Sequence, residues 1–233
     1  IVIDGHCEAS QIEAGGDVII RKGCQGKGLG KIIAGKSIVG QFFESAVLTA
    51  GKDVQATYLL NCQLKANGKL LVEGRKGVII GGKTCAKLGV SCNGIGNIAE
   101  IATVVSVGID KEDMTAYQEL QKKIEQTQAE LQTCENGLNK LMANPVHDEK
   151  VSMMIQRLTR AVYTLKSSRK ELFSERDAQM EQMTKQKEAR IQVSGRVYPG
   201  TLLFLNEDPF AIKEIYNNVE FVKHDNRIDT LAH

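Results

Sequence analysis

The sequence predicts a mainly β protein with a long α insertion: a right-handed parallel β-helix that carries an antiparallel coiled-coil hairpin. Three observations lead to this prediction. An Ala-Gly motif recurs through the first 70 residues, a charged heptad pattern replaces it at Asp110, and strand-like sequence returns at Ile191. The expected domains follow from these changes. Residues 1–109 and 191–229 form the β-helix with its C-terminal capping strands, and residues 110–190 form the hairpin.

The repeated motif predicts a structural unit that stacks on itself. Its four copies begin 20, 16 and 16 residues apart, at Ala14, Ala34, Ala50 and Ala66. A period of this length, without helical spacing inside it, is typical of a solenoid. Short apolar runs between the copies predict strands of three to five residues. Equivalent strands would stack about 4.8 Å apart and place their apolar side chains in columns inside the β-helix.

Glycines next to these strands are expected to form the corners of the solenoid. Glycine adopts positive φ without a side-chain clash, so the chain can change direction there. The predicted corner residues are Gly15, Gly16, Gly35, Gly51, Gly68, Gly81 and Gly82.

Composition disfavours several classes of function. The 233 residues carry a formal net charge of +2, which gives no general argument for binding nucleic acid or membranes. No apolar run reaches the roughly 18 residues of a membrane span. Six cysteines without a Cys-x-x-Cys pair or nearby His ligands disfavour zinc and predict buried, reduced thiols, as in the cytoplasm. We also expect a missing N-terminal domain, because the sequence begins at Ile1 inside an apparent strand.

The coiled-coil prediction rests on two heptad patterns separated by a proline. Apolar residues at alternating steps of three and four run from Tyr117 to Leu141, and a second set runs from Val151 to Leu172. Asp110 is the expected N-cap of the first helix, and residues 144–148 are the expected tip of the hairpin. Two helices of roughly 33 to 40 residues, each about 50 to 60 Å long, must pair antiparallel across so short a link.

The second predicted helix carries a basic stripe, because residues 150–170 contain no Asp or Glu. Two interpretations stay open. The bases pair across the hairpin with Glu119, Glu125, Glu130 and Glu135, each pair contributing about 0 to 1 kcal/mol, or they bind an acidic partner protein. Nucleic acid is disfavoured because few aromatic residues lie among the bases. The candidate partner-binding residues are Arg157, Arg160, Lys166, Arg169 and Lys170.

Motifs for catalysis or cofactor binding are weak. Residues 30–37 and 77–84 have the spacing of a phosphate-binding loop, but no helical pattern follows either one, and β-helix corners explain both. His147 and His224 lack partners at a useful spacing and are predicted to be exposed loop residues. Asp208-Pro209 is predicted to be a turn. We therefore predict no catalytic residue, metal or cofactor, and we do not expect an enzyme.

Three segments carry a resemblance to a known family. They are Gly74 to Lys83, the strand Thr103 to Gly108 before the charged helix, and Val197-Tyr198-Pro199-Gly200 after the hairpin. These segments resemble the bacterial flagellar assembly protein A (FapA) family, over nearly the whole chain. The resemblance implies a cytoplasmic, non-enzymatic protein in flagellar assembly, including a location at the cell pole, and a further N-terminal domain. It implies regulatory partners from the flagellar pole or the sugar phosphotransferase system.

The leading hypothesis is a scaffold or adaptor that binds proteins through the coiled coil or a face of the β-helix. A self-assembling, cytoskeletal-type structural protein is the alternative, because the ends of a β-helix expose unpaired strand edges, and a homo-oligomer fits either hypothesis. An acyltransferase would need turns of about 18 residues and a catalytic His, for which only His6 is available. A carbohydrate-active enzyme would need carboxylates clustered on one face, where Gly, Lys and Ser dominate.

Overall fold

A computed structural model describes residues 1–74, 76–143, 148–225 and 227–232. Contacts divide the chain into two compact units. The solenoid unit comprises Ile1–Asp110 and Met183–His233, and the helical unit comprises Lys111–Gln182. The predicted domain bounds differ from those of these units and remain a prediction: a β-helix of residues 1–109 and 191–229, and a hairpin of residues 110–190. Residues 144–147 of the predicted hairpin tip, including His147, lie outside the described residues.

The described residues form sixteen strands and two helices. Before the helices the strands are β1 Val2–Ile3, β2 His6–Glu8, β3 Gln11–Ala14, β4 Val18–Ala34, β5 Ile38–Ala50, β6 Val54–Ala56, β7 Tyr58–Ala66, β8 Leu70–Val72, β9 Val78–Ala86, β10 Val90–Ile95 and β11 Thr103–Val107. The helices are α1 Lys111–Met142 and α2 Glu149–Lys187. The later strands are β12 Ile191–Val197, β13 Thr201–Leu205, β14 Asp208–Ala211, β15 Tyr216–His224 and β16 Arg227–Ala232.

Parallel pairing joins each turn of the solenoid to the next, over about five turns. The register aligns the alanines of successive corners: Ala14 pairs with Ala34, Ala34 with Ala50, and so on through Ala66 to Ala86. The predicted β-helix with a long helical insertion is confirmed, and its handedness remains a prediction. Ala86 is a fifth copy that the sequence pattern missed, because its glycine follows only three positions later.

Columns of inward-facing side chains fill the solenoid, and three of them consist largely of bulky apolar residues. The first contains Ile12, Ile32, Leu48, Leu64, Thr84, Val105 and Leu203. The second contains Val18, Ile38, Val54, Leu70, Val90, Ile191 and Phe221. The third contains Cys7, Cys24, Phe43, Leu59, Ile79, Ile95 and Val197. Each large aliphatic side chain buried in this way stabilises the fold by about 1.5–3 kcal/mol, so the columns replace a conventional aromatic core.

The corner glycines are required for two different reasons. Gly81 and Gly82 have φ of +70° and +76°, as expected for glycine corners. Gly35 and Gly51 lie outside the positive-φ region, so the expected reason is wrong for them. A Cβ on Gly35 would overlap the carbonyl oxygen of Gly15, and a Cβ on Gly51 would overlap that of Gly35. Glycine is needed at these corners because the backbones of successive turns approach closely.

The other predicted corner glycines differ in how crowded they are. Gly15 and Gly16 lie in the first corner of the stack, and a Cβ on either one would meet no other atom within 4 Å. Gly68 is tightly packed, because its Cβ would lie 2.9 Å from the carbonyl oxygen of Lys52. An alanine side chain therefore fits at Gly15 and Gly16 and clashes at Gly35, Gly51 and Gly68.

The helices interrupt the solenoid between one turn and the next. β11 ends at Val107, and the chain re-enters the stack at Ile191, where β12 pairs in parallel with β10 and β13 pairs in parallel with β11. Asp110, the predicted N-cap residue, ends the first segment with its carboxylate 3.8 Å from Nζ of Lys87. After β13 the pairing becomes antiparallel, between β12 and β15 and between β15 and β16, which ends the parallel stack.

The turn predicted at Asp208-Pro209 is wrong. Asp208 begins β14, which pairs antiparallel with β13, and the turn precedes it at Asn206 and Glu207, where φ is +50° and +70°. β14 is the last strand of the sheet on this side, so the missing N–H of Pro209 breaks no hydrogen bond to a further strand.

Cysteines contribute to the solenoid core as small apolar residues. Cys7, Cys24, Cys62 and Cys92 are buried, Cys85 and Cys134 are half-buried, and all six are free thiols. Burial raises the pKa of the Cys62 thiol to about 11 and that of Cys92 to about 12. The interior thiols are therefore neutral and chemically inert near pH 7.

Replacing Gly35 by alanine tests the close approach of the corners. We expect Gly35→Ala to lower the free energy of unfolding by about 1–3 kcal/mol, because its new methyl group meets the Gly15 carbonyl. The control Gly15→Ala should change stability by less than about 0.5 kcal/mol. Urea unfolding followed by circular dichroism measures both. Equal effects of the two variants would contradict the close approach.

The buried thiol of Cys92 predicts an alkaline loss of stability. Folding raises its pKa from 9.0 to about 12, so its contribution is complete below pH 9 and is lost as the pH rises toward 12. Other groups titrate in this range, so the measurement is the difference between variants in urea unfolding. Cys92→Val should flatten the pH dependence. The same slope in Cys92→Val and in the parent chain would refute the assignment.

Candidate functional site

The two helices are held together by a thin core. Leu120, Ile124 and Leu131 are the buried residues of α1, and Val162 is the buried apolar residue of α2 within the helical unit. All four lie at positions of the predicted heptad seam. α2 is capped by Asp148, whose Oδ1 accepts the backbone N–H of Val151 at 2.8 Å.

In the contacts between the helices, a higher residue number on α1 goes with a lower residue number on α2. Nζ of Lys166 lies 2.9 Å from Oε1 of Glu135. Two residues further along α1, a Cβ on Gly137 would lie 3.6 Å from Cδ1 of Leu158. These contacts support the antiparallel pairing, which remains a prediction.

Two open grooves lie along the helical unit. One, of about 450 Å³, is lined by polar residues that include Glu119, Lys123 and Glu175. The other, of about 670 Å³, is lined mainly by small and apolar residues, among them Cys134 and Leu165. Charged side chains thus line the first groove, whereas the second has one, Glu130.

The five predicted basic residues differ in their partners. Lys166 pairs with Glu135, and the two side chains are 53% and 40% exposed, so the pair contributes about 0 to 1 kcal/mol. In the described parts of the chain, no ion pair involves Arg157, Arg160, Arg169 or Lys170. Of these four, Arg169 is half-buried and the others are exposed.

Pairing across the helices therefore accounts for one of the five bases. Of the four glutamates expected opposite the stripe, only Glu135 forms an ion pair with it among the described residues. The charges of Arg157, Arg160 and Lys170 face water. Unpaired positive charge therefore supports the hypothesis that the stripe binds an acidic partner.

Sequence reasoning missed an exposed aromatic residue within the basic segment. Tyr163 is 78% exposed, whereas its neighbour Val162 is 9% exposed. Arg160 and Lys166 lie three residues to either side of it and Lys170 seven residues after it, which places all three on the same side of the helix. Two features of the sequence could have predicted this exposure: Tyr163 lies outside the heptad seam, and bases flank it at helical spacing.

Catalytic chemistry has little support on the solenoid surface. A groove of about 400 Å³ is lined by Arg21, Gln55 and Thr57, with Glu73 as its carboxylate. His6 is exposed, with Nε2 3.9 Å from a carboxylate oxygen of Glu8. Within the described ranges, no three His, Cys, Asp or Glu side chains lie together as metal ligands. The two stretches with phosphate-loop spacing lie in strands and corners, and no helix follows either one.

Comparison with protein families matches residues 1–228 to the Flagellar Assembly Protein A beta solenoid domain. The chain belongs to the FapA family. The match spans both solenoid segments and both helices, so the insertion is part of the FapA domain in this chain. The predicted resemblance is confirmed, and it makes this a flagellar-assembly-related protein.

Comparison with curated proteins and with solved structures found no match. Among the described residues, neither helix combines the length and the apolar character needed to cross a lipid bilayer.

A double-mutant cycle measures how much the basic stripe of this FapA-family chain contributes to the stability of the helical unit. We expect Lys166→Ala and Glu135→Ala to show a coupling free energy below about 1 kcal/mol that disappears in high salt. Arg160→Ala, which removes an unpaired charge, should change stability by less than about 0.5 kcal/mol. Urea unfolding gives all values. A loss above about 2 kcal/mol for Arg160→Ala would show that the stripe has a structural role.

Proposed function

We propose that this FapA-family protein is a non-enzymatic scaffold or adaptor in flagellar assembly or its regulation, and that the helical unit binds a partner protein. The observation that carries the proposal is the basic stripe of α2. Three of its bases are exposed and without an ion pair among the described residues: Arg157, Arg160 and Lys170. Such charge speeds association with an acidic partner and favours it over basic ones.

The place of the helices in the fold supports this role. β12 pairs directly with β10 and β13 with β11, so the parallel stack continues across the insertion in the sequence. None of the described residues of the helical unit belongs to the interior columns. The helices are therefore available for a role other than completing the core.

The proposed location and partners follow from the cysteines and from the family. A cytoplasmic location, including the cell pole, agrees with six free cysteines and with the family's link to flagellar assembly. Regulatory proteins of the flagellar pole or of the sugar phosphotransferase system are the partners that the family resemblance implies. We expect neither nucleic acid nor a membrane to be the ligand.

Self-assembly is a second candidate. Among the described residues, β1, β2 and β3 pair only with β4, which leaves the outer edges of these strands open to another strand. Open strand edges are sites of end-to-end association. Light scattering against concentration separates the candidates. Filaments should grow with concentration if this one is correct, whereas a stable monomer or dimer at high concentration excludes it.

Replacing the helical unit tests the adaptor function. A chain in which a short Gly-rich linker replaces residues 111–182 should keep its β circular dichroism spectrum, because the solenoid turns pair directly. It should lose the flagellar proteins that the intact chain captures from extracts of motile bacteria. Residues 183–190 are kept, since Arg190 forms an ion pair with Glu220 at 3.1 Å. Undiminished capture by the shortened chain would place the binding site on the solenoid.

A further inference from the structure

One aromatic side chain lies among the exposed bases of α2. Tyr163 is 78% exposed, and Arg160, Lys166 and Lys170 lie on the same side of the helix. We call Arg160, Tyr163, Lys166 and Lys170 the Tyr163 face. Its residues span about 15 Å along the helix axis, at about 1.5 Å per residue.

We propose that the Tyr163 face is a docking site for an acidic helical segment of a partner protein. This inference rests on the proposed adaptor function and adds the chemistry of the partner. The segment would present an apolar side chain to the tyrosine ring and carboxylates to the bases around it.

Charge complementarity identifies the occupant as acidic. Residues 150–170 contain no carboxylate, and the nearest acids along α2 are Glu149 and Glu171. The acid that reaches the face from α1 is Glu135, which pairs with Lys166. Arg160 and Lys170 remain exposed without an ion pair in the described ranges. The face therefore offers uncompensated positive charge on both sides of the tyrosine.

The tyrosine makes the face more than a solvated charge stripe. Tyr and Arg are enriched in protein interfaces, where a buried aromatic anchor supplies much of the affinity. The ring of Tyr163 offers apolar area, and its hydroxyl group can donate a hydrogen bond to a carboxylate. An exposed aromatic residue flanked by bases thus has the composition of an energetic centre within a polar rim.

The spacing of the face fits a helical partner. Arg160, Tyr163, Lys166 and Lys170 follow one another at steps of three, three and four, the steps that bring residues onto one side of a helix. A second helix with the same spacing can place carboxylates against the three bases and one apolar side chain against the tyrosine. Lys166 would then exchange its weak, exposed pair with Glu135 for a contact with the partner.

A designed peptide tests the proposal with the full chain. The probe is a fluorescent helical peptide with a central Leu, Glu three positions before it and three and seven positions after it, and Ala elsewhere. Fluorescence anisotropy should show binding that weakens as salt is raised. Tyr163→Ala should weaken binding by about tenfold, and Arg160→Ala/Lys170→Ala by a similar factor.

The matched control removes the same charge from another exposed site. Lys122→Ala/Lys123→Ala on α1 should weaken binding by less than about twofold. Tyr163→Phe should keep most of the affinity because it keeps the ring. Since Tyr163 is exposed, its variants should also keep the helical circular dichroism signal.

Several outcomes would overturn the proposal. They are no binding of the peptide at low salt, an equal loss in the α1 control, and tighter binding of phosphatidylserine vesicles or duplex DNA with the same dependence on Tyr163. The chain without residues 111–182 separates the two levels of inference. If it loses partner capture while Tyr163→Ala does not affect capture, the adaptor function stands and the Tyr163 face is wrong. If it still captures partners undiminished, the binding site lies on the solenoid, and the helical unit and the Tyr163 face are both wrong as the binding site.

Discussion

The close approach of backbones in successive solenoid turns is the constraint on which the rest of the structure depends. Corner hydrogen bonds run from one turn to the next: the N–H of Gly35 donates to the carbonyl of Ala14 at 2.7 Å, and the N–H of Gly51 donates to that of Ala34 at 2.9 Å. Each corner must therefore lie directly on the one before it. This stacking fixes the register that aligns the interior columns, so the small residues at the corners determine how the large residues in the core pack.

The same constraint explains how a long insertion is tolerated. In a solenoid each turn contacts only its neighbours, so the stack requires a register and does not require an unbroken chain. Val90 pairs with Ile191 as it pairs with Leu70 on its other side, although the helices separate it from Ile191 in sequence. The core is complete without the helical unit. This independence leaves the exposed bases and Tyr163 of α2 available for binding.

Much of the architecture could be predicted from the sequence because solenoid packing leaves a period in the chain. The mainly β fold, the helical insertion and the family all follow from local patterns. The role of Gly35 did not, because periodicity does not reveal the distance between stacked backbones. Pro209 was misplaced because its strand pairs on one side only, which a turn propensity cannot indicate. For the candidate site, the basic stripe was evident from residues 150–170, which lack Asp and Glu. The exposure of Tyr163 depends on which face of α2 packs against α1.

We expect the solenoid to fold as one continuous stack whether or not the helical unit is present. Amide hydrogen exchange in the full chain, compared with the chain lacking residues 111–182, measures this. We predict slow exchange in β10 and β12 in both chains, because these strands pair with each other on either side of the insertion. Loss of protection in β12 when the helical unit is removed would show that the solenoid depends on the helices.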